Sequence, residues 1–277
     1  MQRWLVAGVL VCGVIVSVPR AAAQSAGVAR PDAAIQVARE MQEATSLRLH
    51  GQRLAKLYQQ AGMDVHTAQA QAALAKGMIQ GEQALARLAR QGQQPAGARV
   101  YGRCVAVWQE LRAVVTQPYT SASAERAGQL AEALAIHAGK LAMQIEAGAD
   151  SPAGRALDGA ARLNMFAQRL ARLYFQSMSG DRSQGLLTDM AQTRSEFATG
   201  LLELERYPGN PPAAREALAL VRNQWVFLDE AVRQAQGRSG GGREPQYVAT
   251  SSERIQETLA SLAEIYRELL QAGGRGV

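Results

Sequence analysis

The sequence predicts an all-α protein of two tandem antiparallel four-helix bundles, eight helices in all. Three observations carry this. Alanine, leucine, glutamine, glutamate and arginine dominate the 277 residues, while β-branched runs and alternating apolar patterns are nearly absent. Apolar residues recur at helical spacing almost throughout. A segment also repeats: Gln52-Arg53-Leu54-Ala55-Lys56-Leu57-Tyr58 matches Gln168-Arg169-Leu170-Ala171-Arg172-Leu173-Tyr174 at an offset of 116.

Breakers divide the chain into helices expected over 31–61, 65–92, 95–116, 121–147, 152–179, 181–206, 211–236 and 247–272. The stops are Gly62, Gln117-Pro118, Gly180, Gly209 to Pro212 and Gly237 to Pro245. Pro31-Asp32 and Ser151-Pro152 suit the first and fifth helix starts. Two further anchors follow the repeated segment in order. Trp108 matches Trp225 at an offset of 117, and Ser123-Ala124-Glu125-Arg126 resembles Ser251-Ser252-Glu253-Arg254 at 128. The extra length is assigned to the flexible stretch Arg238-Ser239-Gly240-Gly241-Gly242-Arg243. The first domain is placed at 30–148 and the second at 149–272, each long enough to bury its own core. Ser25 to Arg30 and residues 273–277 read as loose ends.

The first 23 residues read as a cleavable signal peptide. Arg3 gives a positive start, Trp4 to Val18 is an apolar run, and Ala21-Ala22-Ala23 precedes Gln24. The run is short for a span, which needs about 20 apolar residues. Cys12 follows Val11, where a lipobox needs a small residue, so lipidation is not expected. No later segment is apolar enough to cross a membrane. The mature chain is expected in the periplasm, not membrane-spanning.

Other function classes find little support. Without Arg3 and Arg20 the chain carries 28 basic and 24 acidic residues, scattered along helices, so nucleic acid is not expected as a partner. Cys104 would be the only remaining cysteine, and His50, His66 and His137 show no metal spacing with it. A Glu-x-x-His pair, a nucleophile motif, a phosphate loop and a redox pair are all missing, so neither an enzyme nor a cofactor is expected. Glu40, Glu43, Glu203 and Glu205 read as solvated faces, and Tyr58, Tyr174, Trp108 and Trp225 as core.

The first helix of each copy carries the signal. Val37, Met41, Ala44, Arg48, Gly51, Ala55 and Tyr58 step by 4 and 3, as a helix-pairing seam does. The second copy's seam is Ala153, Leu157, Ala160, Asn164, Ala167, Ala171 and Tyr174. Small residues let two helices approach near the middle, where Arg48 and Asn164 hold equivalent positions. A guanidinium in such a seam costs several kcal/mol unless neutralised, by a carboxylate from another helix or by a bound anion. Ala44 and Gly51 leave room for the anion, and the planar fork of Arg48 suits a planar oxyanion.

The segment Arg48-Leu49-His50-Gly51-Gln52-Arg53-Leu54-Ala55-Lys56-Leu57-Tyr58 resembles the periplasmic domains of NarX-type nitrate sensor kinases and PilJ-type chemotaxis transducers. The second copy reads Asn164-Met165-Phe166-Ala167-Gln168-Arg169-Leu170-Ala171-Arg172-Leu173-Tyr174, with Arg162 just before it. The resemblance implies a NarX/PilJ-like four-helix sensing module in which first helices pair and the motif's first arginine binds the anion. That role falls on Arg48, with Asn164, Arg162, Gly51 and Ala44 as further candidate ligand-site residues. Asn164 in place of a second arginine departs from the pattern. Arg53 and Arg169 fall off the seam and are read as structural, pairing with acids. The implied function is binding of nitrate, nitrite or a similar small oxyanion, reported through a membrane-anchored sensor or envelope protein. The alternative is a structural or interaction module of the same fold, linked to pili or chemosensing, with no small ligand.

Overall fold

The computed structural model describes residues 31–146, 152–237 and 244–273. Among them are eight α-helices and no strand: α1 (Pro31–Gly62), α2 (Thr67–Arg87), α3 (Ala98–Val115), α4 (Ser121–Glu146), α5 (Pro152–Met178), α6 (Gln184–Glu205), α7 (Pro212–Gly237) and α8 (Glu244–Gly273). The expected signal peptide, the short linker between copies, the Gly-rich insertion and residues 274–277 lie outside the described residues. No described helix is long and apolar enough to cross a membrane.

Several boundaries differ from expectation. α2 stops at Arg87, and Ala89–Gln93 forms a separate 3-10 turn. Gln94 then turns extended (φ −91°, ψ 131°), as the residue before Pro95 must. α6 begins at Gln184 rather than 181, because the Ser183 side chain accepts from the Leu186 amide at 3.3 Å and caps it. α8 begins at Glu244, ahead of the expected 247.

α1 packs against α2, α4 and α5, while α5 packs against α1, α6 and α8. α3 lies on α4, and α7 on α8. Named contacts give the directions. Gly51 meets Leu134, Arg48 lies over Gly139, and Tyr58 meets Ser123, so α1 and α4 run oppositely. Thr45 meets Asp158, Gln52 meets Arg172, and Met63 meets Ser179, so α1 and α5 run parallel in equal register. One cluster of buried apolar residues comes from α1–α4. A second comes from α5–α8, with Val65 of the α1–α2 turn inserted into it.

The charge pairs correct one expected anchor. Arg53 and Lys56 pair with Glu253, and their equivalents at the 116 offset, Arg169 and Arg172, pair with Glu132, so α8 matches α4 at an offset of 121 rather than 128. Glu253 therefore corresponds to Glu132, not to Glu125. The error is one heptad, the shift that leaves a helix's buried face unchanged.

The two cores solve one packing problem differently. Gly81 lies under the Trp108 indole, whose Cη2 would stand 1.9 Å from an added Cβ. The equivalent of Gly81 at the 116 offset is Phe197, which stacks on Trp225 with centroids 4.0 Å apart. Gly81→Ala is expected to destabilise the fold by about 1–3 kcal/mol, because the indole has no free space to move into. Gly102 has nothing within 4 Å of an added Cβ, so Gly102→Ala should stabilise by about 0.5–1 kcal/mol. Urea unfolding followed by circular dichroism reads both, and equal midpoints for the two variants would contradict this packing.

Candidate functional site

The region of interest is the pair of parallel helices, α1 and α5. Each sends two basic side chains across to the other copy's fourth helix. Arg53 Nη2 lies 2.5 Å and Lys56 Nζ 2.6 Å from the Glu253 carboxylate on α8, and Lys56 also donates to Ser252 Oγ at 3.3 Å. In the related cluster, Arg169 Nε lies 2.8 Å from Glu132 on α4, which also pairs with Arg172. Arg172 Nε donates to Gln52 Oε1 at 2.8 Å, and Gln168 Nε2 to the Ser252 carbonyl at 2.8 Å. Arg53 and Arg169 thus pair with helix-borne acids, as their off-seam positions suggested.

Lys56 is fully buried and Arg172 nearly so. Burial pushes both below their ordinary range, against the pull of Glu253 and Glu132 respectively. For Glu253, burial favours the neutral acid, but Lys56 and Arg53 outweigh it and hold the carboxyl at about 2. Glu132 is likewise lowered despite burial, through Arg172 and Arg169. Sequence reasoning quoted Lys56 and Arg172 within the motif but gave them no role. The detectable signal was a basic residue kept at one buried-face position in both copies.

Glu40 is a second correction. Rather than lying on a solvated face, it is buried and accepts from Arg90 Nε at 2.8 Å, Gln91 Nε2 at 2.6 Å and Gln36 Nε2 at 2.9 Å. The 3-10 turn after α2 brings Arg90 and Gln91 onto it.

Two grooves flank the α1–α5 pair. The first, about 770 Å³, lies between α1, α2, α5 and α8, and its lining includes Ser46, His50, Arg53, Gln80, Asn164 and Gln256. The second, about 720 Å³, lies between α5 and α6 and includes Asp158, Arg162, Phe166 and Glu196. The 116 offset maps Gln42, Ser46, His50 and Gln80 of the first onto Asp158, Arg162, Phe166 and Glu196 of the second.

Of the predicted site residues, Asn164 lines the first groove and Arg162 the second; Arg48, Gly51 and Ala44 line neither. Arg48 lies behind the second, its guanidinium next to Gly139 of α4 and in the field of Asp158, Arg162 and Glu196. Burial lowers its pKa, Asp158 and Glu196 oppose this, and Arg162 adds to it. None of the ion pairs among the described residues involves Arg48, and its buried Nε has no hydrogen-bond partner. Asp158 Oδ1 accepts instead from Thr45 at 2.9 Å. Asn164 is buried and lines the first groove, its Nδ2 donating to the Gln256 carbonyl at 3.2 Å. The fold therefore brings Arg162 near Arg48 but places Asn164 toward α8. Ala44 is buried in the core, and Leu134 Cδ2 lies 2.9 Å from where a Gly51 Cβ would stand. Gly51 thus admits a leucine rather than leaving an open cavity.

Comparison with family models, with curated proteins and with solved structures finds no match for this chain.

These charges set the expected acid response. Burial, with Arg53 and Arg87, depresses His50 from 6.5 to about 4. A base with a depressed folded pKa stabilises fully above its unfolded value. Stability should therefore fall between pH 6.5 and about 4, by up to about 3 kcal/mol. Glu253 contributes above 4.5 and loses its contribution as pH falls from 4.5 toward 2. In urea titrations against pH, His50→Phe should remove most of the upper step, leaving a small part from His137, which burial, Lys140 and Arg103 also lower, and should leave the lower step intact. Glu253→Gln should cost about 3–5 kcal/mol at pH 7 by stranding Lys56, and adding Lys56→Met should recover part of it. An unchanged upper step in His50→Phe would refute the assignment.

Proposed function

We propose that this chain is a non-catalytic, exported sensor-type binding protein. In this reading it consists of two tandem antiparallel four-helix bundles of the NarX/PilJ kind. Its ligand is a small oxyanion such as nitrate or nitrite, held at Arg48, and it reports through an envelope partner. The observation that carries the reading is the state of Arg48. A half-buried guanidinium in the α1–α5 pair has no ion-pair partner among the described residues, and its buried Nε has no acceptor. A buried donor without a partner costs about 1–3 kcal/mol, and an oxyanion would supply the acceptor. The pairing of the two first helices within one chain also fits the reading, since such sensors pair first helices between subunits.

A second reading is a protein-interaction module of the same fold. It is favoured by large apolar side chains left exposed on two helices: Leu220, Val226 and Phe227 on α7, and Ile136 and Met143 on α4.

A thermal-shift titration with nitrate, nitrite, sulfate and chloride separates the two. Under the first reading nitrate or nitrite raises the melting temperature, because it binds only the folded state, and Arg48→Ala removes the response. No shift at about 10 mM anion, or an equal shift in Arg48→Ala, would leave the interaction reading standing.

A further inference from the structure

The two grooves have different hydrogen-bonding needs. The group without a partner behind the second groove is a donor, Arg48 Nε. In the first groove the buried groups without a partner are an acceptor, Asn164 Oδ1, the ring nitrogen His50 Nδ1 and a donor, Arg267 Nε, a mixed set that calls for a ligand with both a donor and an acceptor. The Asn164 amide orientation follows from its bond to the Gln256 carbonyl, since a flip would set oxygen against oxygen. His50 is neutral above about 4, so it does not repel a donor by charge. Nitrate and nitrite carry no hydrogen and cannot satisfy Asn164 Oδ1.

We propose that the first groove is a separate binding site for a small zwitterion of the α-amino acid class, its ammonium donating to Asn164 Oδ1. The choice of zwitterion follows from the charges along the groove. Arg39, Arg53, Arg87 and Arg267 outnumber Glu40, Glu43 and Glu264 by one. A bare ammonium compound enters such a groove against its field, whereas an adjoining carboxylate is attracted by it. The second groove has Phe166 at the place of His50, which removes the polar ring and makes the two sites non-equivalent. The proposal does not depend on the oxyanion reading, because it uses the other groove and turns on an unmet acceptor, Asn164 Oδ1.

The test is calorimetric titration of the folded chain with the common L-α-amino acids, each alone. Acetate and methylammonium serve as half-ligand controls. At least one amino acid is expected to bind, with both controls at least about tenfold weaker. Asn164→Leu should weaken binding by about tenfold or more while leaving any nitrate response unchanged. His50→Phe, which installs the second copy's residue, should also weaken it, and guards against a folding defect in the first variant. Arg48→Ala should leave amino-acid binding intact. Absence of binding by every amino acid at about 10 mM, or binding retained in both Asn164→Leu and His50→Phe, would overturn the proposal.

Discussion

The structure depends on the exchange of charge between the two copies. Lys56 and Arg53 leave α1 to meet Glu253, and Arg172 and Arg169 leave α5 to meet Glu132. Removing such ions from water costs several kcal/mol each, and the return depends on accurate placement of the carboxylate. In both clusters the carboxylate shared by two cations comes from the opposite copy, while Asp189 of its own copy is a second partner of Arg169. Neither half satisfies its own first helix alone. The clusters thus do for the two copies what a buried polar residue does for a coiled coil, fixing one register. A slip of one turn along α1 would carry Arg53 and Lys56 past Glu253 together, leaving three charges unmatched.

With register held, the copies are free to differ elsewhere. Arg172 replaces Lys56, and its planar fork reaches Gln52 as well as Glu132, which an ammonium group on a shorter reach does not. Phe197 replaces Gly81, and the neighbouring indole moves from filling a glycine gap to stacking. Trp225 ends slightly more exposed than Trp108, 9% against 2%, as expected if the larger neighbour displaces it outward. These differences each have a local compensation. The replacement at His50/Phe166 has none, and both of these residues line a groove.

Much of this was legible in the sequence. Helical periodicity and breakers locate all eight helices, and the 116 offset of Gln52–Tyr58 carries through α5 and α6. The fourth-helix offset was misread as 128 because Ser251 to Arg254 resembles Ser123 to Arg126. A seven-residue error preserves helical phase, so pattern alone does not expose it, and only the position of Glu132 against Glu253 does. The burial of Glu40 was hidden because its partners, Arg90 and Gln91, come from a 3-10 turn expected to be regular helix. The seam step identified Arg48 and Asn164 as equivalent. It did not say that equivalent positions on two parallel helices face different neighbours, α4 for one and α8 for the other.

That last point bears on anion choice. In a symmetric pair of identical chains, equivalent arginines related by a two-fold axis can converge on one ligand. Here Arg48 stands without a second seam arginine, and its surroundings must supply the rest of the balance. The second groove holds Arg155, Arg162 and Arg206 against Asp158, Glu196 and Glu203, which cancel, leaving Arg48 behind it as one positive charge in excess. One monovalent anion at Arg48 brings the region to neutrality, whereas a divalent anion overshoots it and meets repulsion from Asp158 and Glu196. Under the oxyanion reading, losing the second arginine therefore lowers the field at the site but sharpens its preference for a single negative charge. Geometry adds to this. Arg48 lies among residues of α1, α4, α5 and α6, so an anion there touches α1 against α5, the most extensive contact between the two copies.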